Sequence, residues 1–329
     1  MTNTHLSPDQ ERAICRHDRV SLILAGFAAG TSIVLYYGMN RLISSIVNRY
    51  YPEVVELYWS DLTFQYAFDS LWTVAALLLP FALMYFGLRK TGATREPIPL
   101  GAAKSPSTAL LLIPIGLAAC MFGNFIVSYL NTFLQSLFSV EFTMPDYDVP
   151  TAPKPAAMYF LRSAILPPLI EELCLRGFIM QPLRRYGDRF AIVMSAFVFA
   201  LMHGNMVQLP FAFIAGIAIG YCVAVTGTLW TGIAIHFLNN AVSVAESLLI
   251  ASGMGAKAQL WAVAASSTAI GVGIVCLIVY LFKKRGAGTA LRRCEARTPF
   301  KPFYYLANPA MIAAIALMGY TTVTYIMDA

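Results

Sequence analysis

Nine apolar stretches of about 20 residues recur along this 329-residue chain, and each is long enough to cross a bilayer as a helix. Charged residues make up only 12% of the chain, about half the share of about 25% that soluble domains carry. The sequence therefore predicts an all-α, polytopic transmembrane bundle of eight or nine spans. The count falls to eight if one of the two weaker stretches, the sixth or the seventh, is re-entrant. The predicted spans are 20–41, 63–88, 108–138, 157–181, 189–206, 207–226, 230–251, 258–282 and 307–326.

Basic residues alternate with acidic ones from loop to loop, which predicts a multi-pass protein of the cell membrane with a cytoplasmic N-terminus. The first span stays apolar from Val20 to Met39, longer than the apolar core of a secretory signal, so we interpret it as retained. The basic side carries Arg12, Arg16 and Arg19; Arg89, Lys90, Arg95 and Lys104; Arg184, Arg185 and Arg189; and Lys283, Lys284, Arg285, Arg292, Arg293, Arg297 and Lys301. The opposite loops carry Glu53, Glu56, Asp61, Glu141, Asp146 and Asp148.

The net charge of +6 does not indicate nucleic-acid binding, because the basic residues sit at the ends of apolar segments. Six cysteines without CxxC spacing argue against a disulfide framework or a thiolate metal site. We expect membrane lipids and a peptide or membrane-protein substrate as partners, with its lipidation left open. We expect no cofactor and no metal.

A proline-rich loop at 140–156 divides the chain, because everything chemically suggestive follows it. We divide the sequence into a cytoplasmic tail at 1–19, N-terminal transmembrane helices at 20–156, a core at 157–251, and C-terminal helices at 252–329. The last part includes a basic connector at 283–306, which is typical of lipid headgroup contact and less so of peptide docking.

The first polar motif of the core places two adjacent carboxylates near an arginine. Glu172 and Arg176 are four residues apart, share a helix face and have the favourable order for an ion pair. Glu171 is rotated about 100° from Glu172, so it points elsewhere. An unneutralised carboxylate in a poorly hydrated cavity suits proton transfer near neutral pH. We therefore assign the chemistry to Glu171 and a structural role to Glu172 and Arg176.

Two histidines lie in apolar surroundings. Phe199 is four residues before His203, so its ring can pack on the imidazole and orient it. His236 shares a face with Asn240 by the same spacing, and Asn239 is a plausible substitute for that amide. Ionisable side chains at this depth usually face a bundle interior or a wet cavity. The alternative is a set of polar contacts that only holds helices together.

These three patterns resemble the signature motifs of the CPBP family, which comprises the type II CAAX prenyl endopeptidases and bacterial Abi-domain relatives. The matching segments begin at Glu171, Phe199 and His236, and the resemblance covers about 157–250. It implies an intramembrane glutamate endopeptidase with no obligatory metal. Glu171 with His203 would activate a water molecule, and His236 and Asn240 would donate to the oxyanion.

One geometric requirement accompanies this single-site interpretation. If every span were a straight helix along the membrane normal, His203 and His236 would differ in height by roughly 10 Å. Tilt, kinks or shifted span ends must close that gap.

Three rival functions remain open from the sequence. A zinc protease could use His203, His236 and Glu171 as ligands, although the chain has no HExxH helix. A thiol mechanism could use Cys174, but the nearby Glu171 has the wrong charge to activate it. A transporter or immunity-type scaffold would use the same polar residues without catalysis.

Overall fold

The computed structural model describes residues 8–145, 148–283, 291–294 and 298–328. Asp146, Lys284, Arg285 and Arg297, which the sequence analysis assigned to loops, lie outside these residues. Thirteen α-helices occur in the described part of the chain, together with two three-residue strands, β1 (Val140–Phe142) and β2 (Ile326–Asp328), which pair antiparallel. The helices are α1 (Pro8–Tyr50), α2 (Pro52–Ser60), α3 (Leu62–Lys90), α4 (Pro106–Phe138), α5 (Pro153–Phe160), α6 (Leu166–Glu172), α7 (Met180–Leu183), α8 (Asp188–Leu201), α9 (Leu209–Thr226), α10 (Leu229–Leu249), α11 (Gly255–Lys283), α12 (Lys301–Leu306) and α13 (Pro309–Val323).

The predicted all-α membrane fold is confirmed. By length and composition, five helices among the described residues are apolar enough to cross a membrane: Glu11–Tyr50, Leu62–Lys90, Pro106–Phe138, Leu209–Thr226 and Leu229–Lys283. The last of these is interrupted where Gly253 adopts φ +81°, so it contains both α10 and α11, which pack against each other. Glycine suits this conformation because it has no Cβ.

Several element ends differ from the sequence expectation. The first helix extends from Pro8 to Tyr50, so the described part of the N-terminal tail is helical. Helix α8 has 14 residues and α13 has 15, and each is only about 21–23 Å long, shorter than the hydrocarbon core. Helix α8 ends at Leu201, so His203 lies in the following turn instead of inside a span.

The segment from Pro153 to Leu183 is one helical run interrupted by two π-helical stretches. Leu161–Ile165 separates α5 from α6, and Leu173–Ile179 separates α6 from α7. Pro167 and Pro168 follow the first stretch, and prolines cannot donate backbone hydrogen bonds. π-Helical turns are often found at functional sites because they change which face a side chain occupies. The two carboxylates of the first motif lie between the two stretches.

Small residues bring the helices close together. Gly30 of α1 lies against the backbone of Ala310 and Met311 in α13, and Gly273 of α11 lies against the carbonyl of Pro114 in α4. Such close approaches are typical of helix pairs in membranes. Helix α9 packs between α4 and α8, and α10 packs on α6 and α9, so the three motifs are held on neighbouring elements.

Candidate active site

The centre of the site is a buried ion pair between Glu172 and Arg176. Arg176 Nη1 donates to Glu172 Oε1 at 2.8 Å, and both side chains are completely shielded from solvent. A buried charge is costly unless it is paired and hydrogen bonded. Each partner therefore neutralises the other inside the bundle.

Arg176 has two further contacts that hold its guanidinium in place. Nη2 donates to the backbone carbonyl of Gly216 in α9 at 3.1 Å, and Cζ lies 4.9 Å from the centre of the Phe199 ring in α8. A cation over an aromatic ring is attracted to its negative face. Arg176 thus joins the first motif to two neighbouring helices.

His236 lies between the two carboxylates of the first motif. Its Nδ1 is 3.0 Å from Glu172 Oε1, and its Nε2 is 3.8 Å from Glu171 Oε2. A carboxylate only accepts hydrogen bonds, so Nδ1 carries a proton. Glu172 consequently fixes the orientation of the imidazole and directs Nε2 toward Glu171.

Glu171 and Glu172 occupy different environments although they are adjacent in sequence. The side chain of Glu171 is 23% exposed, whereas that of Glu172 is completely buried. The structure thus has one carboxylate committed to an ion pair and one that faces accessible space beside an imidazole.

The ring of Phe199 links the two histidines. Its centre lies 4.9 Å from that of His203 and 5.7 Å from that of His236, both in edge-to-face arrangements. The two imidazoles therefore adjoin one aromatic ring, and the height difference expected for straight spans does not separate them. The early end of α8 contributes, because it places His203 in the turn after the helix, where the imidazole contacts Phe199.

His203 is oriented by the backbone. Its Nδ1 lies 2.9 Å from the carbonyl oxygen of Phe199. Because a carbonyl oxygen only accepts, Nδ1 carries the proton, and Nε2 of the neutral imidazole is an acceptor. That nitrogen has the character needed to hold a water proton.

The turn that contains His203 is fixed by polar contacts. Asn205 Nδ2 donates to the His203 carbonyl at 2.9 Å, and its Oδ1 accepts from the backbone N–H of Gln208 at 2.9 Å. From α1, the Tyr37 hydroxyl donates to the Met202 carbonyl at 2.6 Å. A loop held from several sides keeps the imidazole in one place.

Asn240 lies one helical turn beyond His236 on α10. Its Nδ2 donates to the carbonyl of Ser163 at 3.2 Å, in the first π-helical stretch. Asn239 Nδ2 in turn donates to Asn240 Oδ1 at 3.3 Å. Hydrogen bonds, ion pairs and ring contacts therefore join Glu171, Glu172, Arg176, Phe199, His203 and His236 into one cluster. Asn240 is connected through Ser163 to the helical run 153–183 that carries both glutamates.

Two glycines that the sequence interpretation did not include shape the cluster. A Cβ on Gly232 would lie 2.9 Å from Glu172 Oε2 and 2.7 Å from Val223 Cγ2. A Cβ on Gly216 would lie 2.9 Å from that of Ala196 and 3.3 Å from the Phe199 ring. Both positions need the smallest side chain. In the sequence, the only sign of these two positions is that each is a glycine within an apolar span.

The rival chemistries find different support in the geometry. The side chain of Cys174 is completely buried in the core, out of a substrate's reach. Within the described ranges, no three His, Cys, Asp or Glu side chains are grouped as metal ligands.

Comparison with known proteins identifies the segment that contains the three motifs. Residues 153–242 match the family model described as type II CAAX prenyl endopeptidase Rce1-like. The chain has no match among curated proteins and none among solved structures. The matched segment includes all three motifs, so the resemblance drawn from them is confirmed there.

The matched family consists of peptidases, and the predicted enzyme class is confirmed with it. The helical composition and the apolar helices agree with a multi-pass membrane protein. Residues 153–242 thus match the Rce1-like model of type II CAAX prenyl endopeptidases, within a bundle of membrane helices.

Proposed function

We propose that this protein is an intramembrane endopeptidase in which Glu171 activates a water molecule for attack on a peptide carbonyl. The observation that carries the proposal is the difference between two adjacent carboxylates. Glu172 is buried and paired with Arg176, whereas Glu171 is accessible and 3.8 Å from His236. Only Glu171 has both the access and the imidazole neighbour that a general base needs.

The proposed reaction begins with a water molecule held by Glu171 and by Nε2 of His203. Glu171 takes a proton from this water, and the oxygen forms a bond to the carbonyl carbon of the scissile amide. The resulting tetrahedral intermediate carries an oxyanion. When the carbon–nitrogen bond breaks, the proton on Glu171 passes to the leaving amine, and the carboxylate is regenerated.

His236 and Asn240 serve as oxyanion donors in this proposal. Nδ1 of His236 already donates to Glu172, so Nε2 donates as well only when the ring is an imidazolium. Asn240 Nδ2 has two hydrogens and uses one on Ser163, which leaves its second for the oxyanion. Such donors are each worth a few kcal/mol, about 2.7–4, in comparable sites.

The proposed substrate is a membrane-associated peptide with a prenylated C-terminal segment, since the matched family is named for CAAX prenyl substrates. We infer a cytoplasmic N-terminus from the basic residues predicted to lie on that side. A lipid anchor would hold such a peptide at the bilayer, where the site is reached from within or near the cytoplasmic leaflet.

Cleavage of prenylated and unprenylated CAAX peptides by the purified protein in detergent tests the proposal. We expect the wild type to cleave with and without a strong chelator, and Glu171→Gln to fold but lose cleavage. Chelator-sensitive cleavage would instead indicate a metal enzyme. If the Glu171→Gln variant folds and still replaces the wild-type protein in cells, a transporter or scaffold would be favoured.

A further inference from the structure

Two adjoining open surface hollows with basic linings lie beside the start of α1. The larger, of about 540 Å³, is lined by Arg12, Ala13, Arg16, His17 and Val20. The smaller, of about 310 Å³, is lined by His17, Gly92, Thr94, Arg95, Glu96 and Arg185. His17 borders both, so the two form one basic groove, the α1 groove. It lies outside the active-site cluster.

The charge of the α1 groove is strongly positive. Four arginines line it, and among the residues that the structure describes Glu96 is the one carboxylate in its lining. Glu96 is paired with Arg292, whose Nη1 lies 2.8 Å from Glu96 Oε1. Cations from three separate chain segments thus converge on a space that accommodates an anionic group.

Arg185 and Arg95 differ in whether they are available to bind a ligand. Arg185 donates to the buried Asp18 at 2.5 Å and so connects α1 to the turn that follows α7. Arg95 is exposed on the loop between α3 and α4, next to Gly92, whose position opens onto empty space. Arg185 therefore builds the wall of the groove, and Arg95 is placed to bind what enters it.

The face of α1 above the groove is apolar and exposed. Val20, Ile23 and Phe27 are 48%, 39% and 46% exposed, and they follow Arg16 at spacings of four, three and four residues. Residues at these spacings share one helix face. The same stripe therefore begins with arginines and continues with apolar side chains into the predicted span.

We propose that the α1 groove is a binding site for an anionic phospholipid. Arg12, Arg16 and Arg95 would hold the phosphate headgroup, and Val20, Ile23 and Phe27 would contact an acyl chain. Arginine is well suited to phosphate because its planar fork donates two parallel hydrogen bonds. A free phosphate would satisfy the arginines but leave the apolar stripe unused, so we assign the site to a lipid.

Native mass spectrometry of the purified protein tests this with dioleoyl phosphatidylglycerol and dioleoyl phosphatidylcholine as probes. We expect the wild type to retain phosphatidylglycerol at least about tenfold more tightly, because each surface arginine contributes measurably to anionic lipid binding. The double variant Arg16→Gln/Arg95→Gln should lose this preference. Both side chains are exposed, and an unchanged thermal unfolding midpoint would show that the fold is intact.

A matched control removes the same charge elsewhere on the predicted cytoplasmic face. Lys90→Gln/Arg293→Gln alters two exposed residues that line neither hollow, so phosphatidylglycerol binding should stay as in the wild type. An equal loss in both double variants would overturn the proposal in favour of net charge. Equal retention of both lipids by the wild type, or displacement by millimolar inorganic phosphate, would also overturn it.

Discussion

Nδ1 of His236 lies 3.0 Å from Oε1 of Glu172, the same oxygen that accepts from Arg176. One buried carboxylate thus satisfies a guanidinium and orients an imidazole. His236 also approaches Glu171, the proposed base. Glu172 therefore acts on the surroundings of that base through His236, although Glu172 itself does not contact the substrate. Structural support and chemistry are therefore separable between the two glutamates.

Glu172→Gln should destabilise the protein by about 3–5 kcal/mol, because it leaves Arg176 as a buried charge without its counter-ion. Thermal unfolding in detergent measures this. In Glu172→Leu/Arg176→Met, which removes both charges, much of the lost stability should return, while cleavage stays low because His236 has lost its acceptor. If the double variant were as unstable as the single one, the desolvated charge would not be the cause.

Gly232→Ala should reduce cleavage by about ten- to a hundredfold, because small displacements of positioned groups are costly in catalysis. The new Cβ would crowd Glu172 Oε2 and Val223. Gly271→Ala is the matched control, since Gly271 also lies within an apolar helix but has open space around it. Steady-state kinetics of both variants compares them. Similar rates would show that the close approach at Gly232 does not position Glu172.

Asn240→Ala should lower the turnover number by about 10²–10³, the usual cost of losing an oxyanion donor. Asn239→Ala should have a much smaller effect, because its amide donates to Asn240 and supports it only indirectly. Kinetics on one peptide substrate gives both values. If Asn239→Ala were the more damaging change, the oxyanion donor would be the other amide.

Asp188→Ala should destabilise the protein by about 3–5 kcal/mol and leave the activity of the folded fraction nearly unchanged. Asp188 is buried, accepts two hydrogen bonds from Arg184, and also accepts the backbone N–H of Arg292. Unfolding midpoints and activity per folded molecule separate the two effects. A large loss of specific activity would instead connect this cluster to catalysis.

The sequence was most informative where local spacing decides the geometry. The spans at 63–88 and 108–138 correspond closely to α3 and α4, because long apolar runs have few alternatives in a bilayer. The ion pair of Glu172 with Arg176 follows from their four-residue spacing. Both depend on neighbours along the chain.

Features that depend on tertiary contacts were not predictable in the same way. The π-helical stretches shift the hydrogen-bond register without a change in apolar pattern. Asp69 pairs with Arg162 at 3.3 Å, although the two residues are 93 positions apart in the sequence. The end of α8 had a local signal that the interpretation overlooked. Gly204 adopts φ +59° after the helix, as glycines often do at helix ends.

The most direct test of the account is single-turnover cleavage of a prenylated CAAX peptide by Glu171→Gln, with the wild type as reference and the folded fraction measured in parallel. The account predicts a folded protein with an unchanged unfolding midpoint and cleavage at least about 10²-fold slower, the usual contribution of a general base. Cleavage by folded Glu171→Gln at the wild-type rate would contradict it.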